Sequence, residues 1–182
     1  ESGTMALAVG RLSFRTKTDW APLLEEIQRM VDGGGFENLL LVIAGGADKT
    51  VLQLLQQVIT ARGLQERVLV LENFKPEIKG HLYAAADFYV SIVDNFQETF
   101  GISILEAAFC QTLPLVPNRL SYPEIIPNEF HESCLYNCED ELLEKLKLVL
   151  ENPESIRKTT RALATQAESY SWNKWAPKYD LL

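Results

Sequence analysis

The chain has 182 residues, of which 47% are apolar and 23% charged, and this length and composition suit one soluble domain with its own apolar core. No apolar run reaches the ~18 residues of a membrane span, and no basic segment followed by an apolar one opens the sequence, so we expect a cytoplasmic protein. The formal net charge of -8 argues against nonspecific binding of nucleic acid or of anionic membranes as the main activity.

Short apolar runs alternate along the chain with amphipathic segments. Six runs predict strands, at 5–9, 39–44, 67–71, 88–92, 113–116 and 135–136. Helices are predicted at 21–31, 49–62, 76–86 and 101–110, and again beyond residue 140 with a break at Asn152-Pro153. The segment 117–137 is predicted to carry one helical turn or to wrap the surface.

This alternation predicts an α/β fold: a doubly wound parallel sheet of about six strands, with helices on both faces and a helical C-terminal tail over 155–182. In such sheets ligands bind beyond the carboxyl ends of the strands, where the strand order reverses. The candidate site residues below all follow predicted strands at such ends.

Two carboxylates, Glu98 and Glu106, are separated by seven residues around the start of the fourth predicted helix. Glu98 falls in the loop before that helix, Glu106 lies two turns into it, and Gly101 between them allows a close approach of the backbone. A helix N-terminus suits an anion, and carboxylates suit sugar hydroxyls. A site that needs phosphate and polyol together is a nucleotide-sugar site, which we predict here.

Glu106 interrupts an otherwise apolar helical stretch, 102–109. A carboxylate there must be hydrogen-bonded, because an unpaired one costs ~2–7 kcal/mol or more, and a ribose diol supplies two donors. The alternative is structural: Glu98 caps a loop and Glu106 pairs with a neighbouring lysine. Spacing alone favours this structural alternative, whereas the apolar context favours the sugar site.

Arg11 and Lys17 lie six residues apart in the loop after the first predicted strand. If that strand neighbours the fourth, the two cations lie beside the Gly101 turn, where they would neutralise a pyrophosphate and stabilise it as a leaving group. The alternative is a solvated basic loop, because Arg15 is there too.

The residues after the second and third strands are further candidates. Gly45-Gly46 either lets backbone amides approach a phosphate or forms a plain tight turn. Phe74 either lies against a nucleobase or, more commonly for such a residue, covers the core. The sequence contains neither a G-x-G-x-x-G fingerprint nor a Walker motif, so an NTPase lacks its main signature here.

The three cysteines are Cys110, Cys134 and Cys138. An odd number without a secretion signal predicts reduced thiols in a cytosolic protein. His131, Cys134 and Cys138 lie close in sequence, but a paired C-x-x-C and a fourth ligand are missing, so we favour ordinary thiols over zinc and predict no metal site.

Several ordered motifs resemble the C-terminal domain of GT-B glycosyltransferases of family 4. They are Val9-Gly10-Arg11-Leu12 with Lys17, Leu82-Tyr83-Ala84-Ala85-Ala86-Asp87, Gln97-Glu98-Thr99-Phe100-Gly101-Ile102, Leu105-Glu106-Ala107 and Tyr170-Ser171-Trp172. Glu98 and Glu106 match the family's E-x7-E motif, and the resemblance covers nearly the whole chain. It implies a Rossmann-like domain of an enzyme that transfers sugars with retention of configuration, from a UDP- or GDP-sugar and usually without a metal.

The resemblance also implies a role for each matching residue. Arg11 and Lys17 would bind the donor diphosphate, Glu106 the ribose hydroxyls, and Glu98 the donor sugar near its reacting carbon. Sugar and phosphate oxygens would be held by the backbone amides of Phe100, Gly101, Ile102 and Ser103. The base would lie near Phe74. Arg11, Lys17 and Glu98 are therefore the predicted catalytic residues.

Some segments depart from the family pattern. The usual Gly-Thr-Pro after the motif helix is replaced by the longer Cys110-Gln111-Thr112-Leu113-Pro114, and Glu72 stands where a glycine usually follows the third strand. The stretch 114–124 resembles the branch that mannosylates queuosine-containing tRNA, whereas 94–98 resembles other bacterial branches. The acceptor is therefore left open among a glycan, a lipid, a small molecule and a modified tRNA.

A GT-B enzyme has two such domains, and the acceptor and an important histidine normally belong to the N-terminal one. His81 and His131 do not match that histidine, so we expect 1–182 to be a donor-binding domain whose N-terminal partner domain is missing, with little transferase activity alone. The alternative is a noncatalytic nucleotide-binding or protein-interaction module. A third hypothesis is a GT-B epimerase or phosphorylase. Phosphorylases of this architecture carry pyridoxal phosphate on a lysine, and no lysine here lies in the corresponding motif.

Overall fold

The computed structural model describes residues 3–12, 20–34, 38–92 and 100–179. Over these ranges the chain forms six strands: β1 (Thr4–Val9), β2 (Leu39–Gly45), β3 (Val68–Glu72), β4 (Phe88–Val90), β5 (Leu113–Pro117) and β6 (Leu135–Tyr136). Every pair is parallel, and the order across the sheet is β3-β2-β1-β4-β5-β6.

Helices connect and flank these strands. They are α1 (Trp20–Asp32), α2 (Lys49–Ala61), α3 (Pro76–Ala85), α4 (Ile102–Phe109), α5 (Tyr122–Ile125), α6 (His131–Cys134), α7 (Glu139–Glu151), α8 (Pro153–Ala167) and α9 (Trp172–Tyr179). The predicted fold class, a doubly wound parallel sheet of six strands with a helical tail, is confirmed.

The centre of the sheet is buried on both faces. Alternate residues of β1 and β2 point to opposite faces, yet Ala6, Leu7, Ala8 and the stretch 41–44 are all almost fully buried. This explains why both strands are continuous apolar runs in the sequence. The helix that follows β2 begins as its sequence predicts, because the Asp48 carboxylate accepts a hydrogen bond from the Val51 amide at 2.9 Å.

The strand order reverses between β1 and β4. The connection from β1 leads to β2 on one side, and the connection from β4 leads to β5 on the other. Neighbouring crossovers that diverge in this way leave a crevice at the carboxyl ends of the two central strands. Ala6 pairs with Phe88 and Leu7 with Tyr89. The two strands therefore end near each other at the same edge of the sheet, β1 at Val9 and β4 at Val90.

The strand β4 ends at Val90, two residues before the predicted end at 92, although the Ser91 amide still donates a hydrogen bond to the Leu115 carbonyl of β5 at 3.0 Å. The Ser91 carbonyl accepts a hydrogen bond from the Tyr136 hydroxyl at 2.7 Å. The side-chain hydroxyl of Ser91 lies 3.3 Å from the Tyr122 hydroxyl. These phenols come from β6 and α5, so segments far along the chain bind the residue that follows β4.

The C-terminal part follows the predicted pattern of two helices with a break. Pro153 occupies the first turn of α8, where its missing N–H costs nothing. The helix α8 then packs against α4 through buried Leu163 and Ala167. The segment 117–137, expected to carry one helical turn or to wrap the surface, contains the short helices α5 and α6 with a 3-10 turn at Asn128–Phe130 between them.

Candidate functional site

The residues predicted to bind the ligand are distributed around the carboxyl ends of the strands. Arg11 follows β1, Phe74 follows β3, and Phe100 and Gly101 lie directly before α4. Lys17 and Glu98 lie outside the described residues, so their predicted roles stay predictions.

The backbone that carries Arg11 is tied to the end of β2. The Gly10 amide donates to the Ala44 carbonyl at 3.1 Å, and the Leu12 amide donates to the Gly46 carbonyl at 3.0 Å. A Cβ at Gly45 would lie only 1.7 Å from the Gly10 oxygen. Gly45 is therefore needed for close approach between neighbouring chain segments. The two alternatives for Gly45-Gly46, a phosphate contact and a plain tight turn, stay predictions.

Arg11 lines an open depression of about 550 Å³. The other lining residues belong to the ends of β1 and β2 and to the start of α2: Gly10, Leu12, Gly46, Ala47, Asp48 and Val51. The N-terminus of α2 opens onto this space, but Asp48 already accepts from its Val51 amide. Among the described residues that line this depression, Arg11 supplies the positive charge.

The Glu106 carboxylate lies between α3 and α4. Its Oε1 is 2.6 Å from the Lys79 ammonium, and its Oε2 accepts a hydrogen bond from the Tyr83 hydroxyl at 3.1 Å. The side chains of Glu106 and Lys79 each keep about one third of their surface exposed, at 32% and 34%. Glu106 therefore does pair with a lysine, as the structural alternative predicted, yet part of its carboxylate remains open to solvent.

Tyr83 is a rigid support for that carboxylate. It is almost fully buried in α3, and its backbone carbonyl accepts a hydrogen bond from the Thr112 hydroxyl at 2.5 Å. Burial raises the pKa of the Tyr83 phenol strongly, and the neighbouring Tyr89 and Glu106 add to the rise, while a hydrogen bond with Ser103 opposes it. The phenol is therefore neutral and donates to Glu106 at any ordinary pH.

The charge of Glu106 also affects the next turn of its own helix. Burial, and then the Glu106 carboxylate, raise the pKa of the Cys110 thiol. Cys110 is therefore a protonated thiol near neutral pH, with its sulfur 3.8 Å from the Gly80 carbonyl oxygen.

Lys79 and Tyr83 are site residues that the sequence interpretation missed. Four positions separate them, so they share one face of the predicted helix 76–86. That spacing was a usable signal, but only the packing of α3 against α4 shows that the shared face meets Glu106.

The start of α4 has no side-chain cap among the described residues. Gly101 adopts a left-handed conformation there with a φ of 72°, and the aromatic ring of Tyr122 lies against it. Phe100, directly before it, is about half exposed and contacts Tyr170 edge-on, with ring centroids 6.1 Å apart. Ile102 and Ser103 form the first turn, so the backbone amides predicted to bind the donor lie at the N-terminus of α4.

We expect Gly101→Ala to destabilise the chain by about 2 kcal/mol, because alanine is strained at positive φ and overpacks the site. Its Cβ would lie 3.0 Å from both Tyr122 Cε1 and Ile104 Cδ1. Urea unfolding measures the change in the free energy of unfolding. The matched control is Gly80→Ala in α3, where a Cβ has open space and should stabilise the helix by about 0.5–1 kcal/mol. Equal effects of the two substitutions would contradict this explanation.

Phe74 is half buried and packs against the core. It follows β3, where Asn73 turns the chain with a φ of 47°. This placement fits a residue that covers the core, and it leaves part of the ring exposed at the carboxyl edge.

The histidine and cysteines weighed as zinc ligands have other neighbours. The His131 Nε2 donates to the carbonyl oxygens of Ile126 at 2.7 Å and Pro123 at 3.1 Å. Cys134 is fully buried, which raises the pKa of its thiol to about 12, whereas Cys138 is exposed. Within the described ranges no group of three or more potential metal ligands comes together.

Glu106 is not among the described residues that line the depression around Arg11. The depression around Arg11 is lined by residues from β1, β2, α2 and their connections, and α4 contributes none of its described lining. The predicted convergence of Arg11, Lys17, Glu98 and Glu106 on one ligand therefore stays a prediction.

None of the helices within 3–12, 20–34, 38–92 and 100–179 is both long and apolar enough to cross a bilayer.

Comparisons with known proteins identify the family. Residues 4–169 match the family described as glycosyl transferases group 1. A relative from Drosophila melanogaster, tRNA-queuosine alpha-mannosyltransferase, is 43% identical over 72 residues, which are 40% of this chain and 18% of the relative.

Solved structures share the fold at low sequence identity. Sucrose-phosphate synthase from Thermosynechococcus elongatus superposes with a TM-score of 0.83 at 18% identity, over 98% of this chain and 44% of that one. Anabaena HepE in complex with UDP has a TM-score of 0.77 at 20% identity, and the match covers 99% of this chain and 49% of that one. The chain spans less than half the length of either protein and a smaller part of the fly relative. Because the family match covers most of its length, this chain belongs to the glycosyl transferases group 1 family.

Proposed function

We propose that this chain is the donor-binding half of a retaining glycosyltransferase, which transfers a sugar from a nucleoside diphosphate sugar to an acceptor hydroxyl. The carrying observation is that the segment with Arg11 and the segment that leads to α4 follow the two adjacent central strands, β1 and β4. The reversal of strand order lies between them, where this class of sheet binds ligands. The UDP bound to HepE supports a nucleotide donor.

In this proposal, cations and helix dipoles hold the diphosphate. Arg11 and Lys17 bind its oxygens and stabilise the negative charge that develops when the sugar–oxygen bond breaks. The amides of Phe100, Gly101, Ile102 and Ser103 approach the same group from α4, whose N-terminus carries a partial positive charge.

The nucleoside and the sugar are assigned to the remaining residues. Glu106 accepts hydrogen bonds from the ribose diol with the part of its carboxylate that is open to solvent. The exposed part of Phe74 receives the base, and Glu98 contacts the sugar near its reacting carbon. The donor is a UDP- or GDP-sugar, and the fly relative's name makes a mannosyl nucleotide the first one to test.

Acceptor binding is assigned to a second domain of a longer protein. The chain spans less than half the length of the two solved structures, and a site at the carboxyl edge of a sheet needs another surface to exclude water from the reaction. We therefore propose that the chain alone binds donor but transfers sugar slowly or not at all. Rapid transfer by residues 1–182 to any acceptor would contradict this assignment.

Titration calorimetry with nucleotides tests the proposed function. We expect UDP or GDP to bind about tenfold tighter than the matching monophosphate, because the second phosphate adds charge-assisted hydrogen bonds. Arg11→Gln should remove most of this preference. Arg161→Gln, on the exposed surface of α8, is the matched control and should leave it intact. The absence of diphosphate binding would favour a noncatalytic interaction module instead.

A further inference from the structure

The surroundings of Glu106 go beyond what a ribose ligand requires. The carboxylate is held on both oxygens before any ligand arrives, by Lys79 on Oε1 and by Tyr83 on Oε2. Both partners project from α3, one helical turn apart. An ordinary surface ion pair would need only one of them.

We propose that Lys79 is a positioning residue that, together with Tyr83, orients Glu106 to accept both hydroxyls of a ribose, and so makes the site selective for ribonucleotides. This inference rests on the proposed function, in which Glu106 binds the donor's ribose. Lys79 acts through Glu106 and is not assigned a contact with the reacting atoms.

The hydrogen-bonding capacity of the carboxylate supports the inference. A carboxylate offers about four lone-pair sites, two on each oxygen. Within the part of the chain that the structure describes, Lys79 occupies one site on Oε1 and Tyr83 one on Oε2, which leaves one site on each oxygen. Adjacent hydroxyls of a ribose present two donors side by side, which suits one remaining site on each oxygen.

The rigidity of the support differs between the two partners. Tyr83 is buried, interacts with Ser103, and is anchored through Thr112. Its phenol therefore stays in place whether or not Glu106 is occupied. The Lys79 side chain is flexible and one-third exposed. Its contact with Oε1 of Glu106 therefore depends on the attraction between the two charges and not on burial.

The position of α3 agrees with a role at the nucleoside. Lys79 lies in the first turns of the helix, which begins four residues after β3 ends and directly after the Phe74–Lys75 connection. Phe74 and Lys79 thus both follow the carboxyl end of β3, at the edge of the sheet where the proposed function puts the base and the ribose. Glu106 reaches Lys79 from the facing helix, α4, at 2.6 Å.

The closing experiment measures binding of UDP and 2′-deoxy-UDP by calorimetry. For the unsubstituted chain we expect a preference for UDP of about tenfold, from one hydrogen bond to a charged group. Lys79→Met should reduce the preference to within about threefold, because a misaligned carboxylate no longer meets both hydroxyls. Lys79→Arg restores a cation to Oε1 and should recover most of it.

Three controls separate positioning from folding. Thermal unfolding shows whether each variant is folded, and loss of folded protein alone would weaken both nucleotides equally. Lys147→Met, on the exposed face of α7, is the matched control and should keep the full preference. Tyr83→Phe removes the donor on the other oxygen and should also lower the preference, so it tests the same carboxylate if Lys79→Met does not fold.

The outcomes distinguish this inference from the proposed function. If the chain binds UDP and Glu106→Gln weakens that binding, but Lys79→Met and Tyr83→Phe keep the preference for UDP, then the positioning role is wrong and the donor site stands. If the unsubstituted chain binds neither nucleotide, or Glu106→Gln has no effect, the proposed ribose contact fails and the positioning role fails with it.

Discussion

Replacing Gly45 by alanine is expected to destabilise the chain by about 2–4 kcal/mol, because the added carbon overlaps backbone rather than a movable side chain. Its Cβ would lie 1.7 Å from the Gly10 oxygen and 2.9 Å from the Gly10 carbonyl carbon. The clash can be relieved only if the ends of β1 and β2 move apart. Chemical denaturation measures the loss directly.

The same substitution should also weaken nucleotide binding in whatever protein remains folded. Separation of the two strand ends would displace the segment that carries Arg11 and break the bonds from Gly10 to Ala44 and from Leu12 to Gly46. Misplacement of a charge-assisted contact by about 1 Å costs much of its energy. We expect diphosphate binding to fall by at least about tenfold.

The neighbouring glycine provides the control for this prediction. A Cβ at Gly46 would meet only the Asn73 Oδ1, at 3.8 Å, which is ordinary contact. Gly46→Ala should therefore change the free energy of unfolding by less than about 0.5 kcal/mol. If both substitutions were equally harmless, the close approach of Gly10 to Gly45 would not be a requirement of this fold.

The second large effect is expected for Glu106→Gln, which should weaken UDP or GDP binding by about tenfold or more. The amide keeps the shape of the side chain but loses its charge and replaces one acceptor oxygen by a donor. One ribose hydroxyl then faces an N–H group, and Lys79 loses its ionic partner. Calorimetry on the folded variant measures the change.

Stability should respond much less than binding in this variant. The ion pair with Lys79 is about one-third exposed on each side, and pairs that solvent can screen contribute at most about 1 kcal/mol. Inorganic pyrophosphate, which has no ribose, should bind the variant and the unsubstituted chain alike. Glu144→Gln, on the exposed face of α7, serves as the control. A stability loss with unchanged nucleotide affinity would assign Glu106 a structural role only.

Most of the fold was predictable because its determinants are local. The apolar runs of β1 and β2 and the helix starts at 49, 76 and 153 each depend on a few neighbouring residues, and the structure has them within one residue of the predicted positions. The hydrogen-bond partners of Ser91 were not predictable, since they are two phenols from distant segments of the chain.

The candidate site divides in the same way. Arg11, Gly101 and Glu106 were identified from residue type and spacing, and the structure places each near the carboxyl edge or in the adjoining helix. Lys79 and Tyr83 were missed, because their link to Glu106 crosses from α3 to α4 over more than twenty residues of chain. The need for glycine at position 45 was missed for the same reason, since the atom that excludes a side chain belongs to Gly10.

By itself the sequence determined the alternation of strands and helices, the chain positions of the candidate ligands and the resemblance to a sugar-transferring family, because periodicity, caps and motifs are properties of neighbouring residues. Only the tertiary structure decided the strand order that puts β1 beside β4 and the partners of Glu106. Those features depend on which distant surfaces pack together, and packing is set by the shape and burial of the whole core rather than by any single segment.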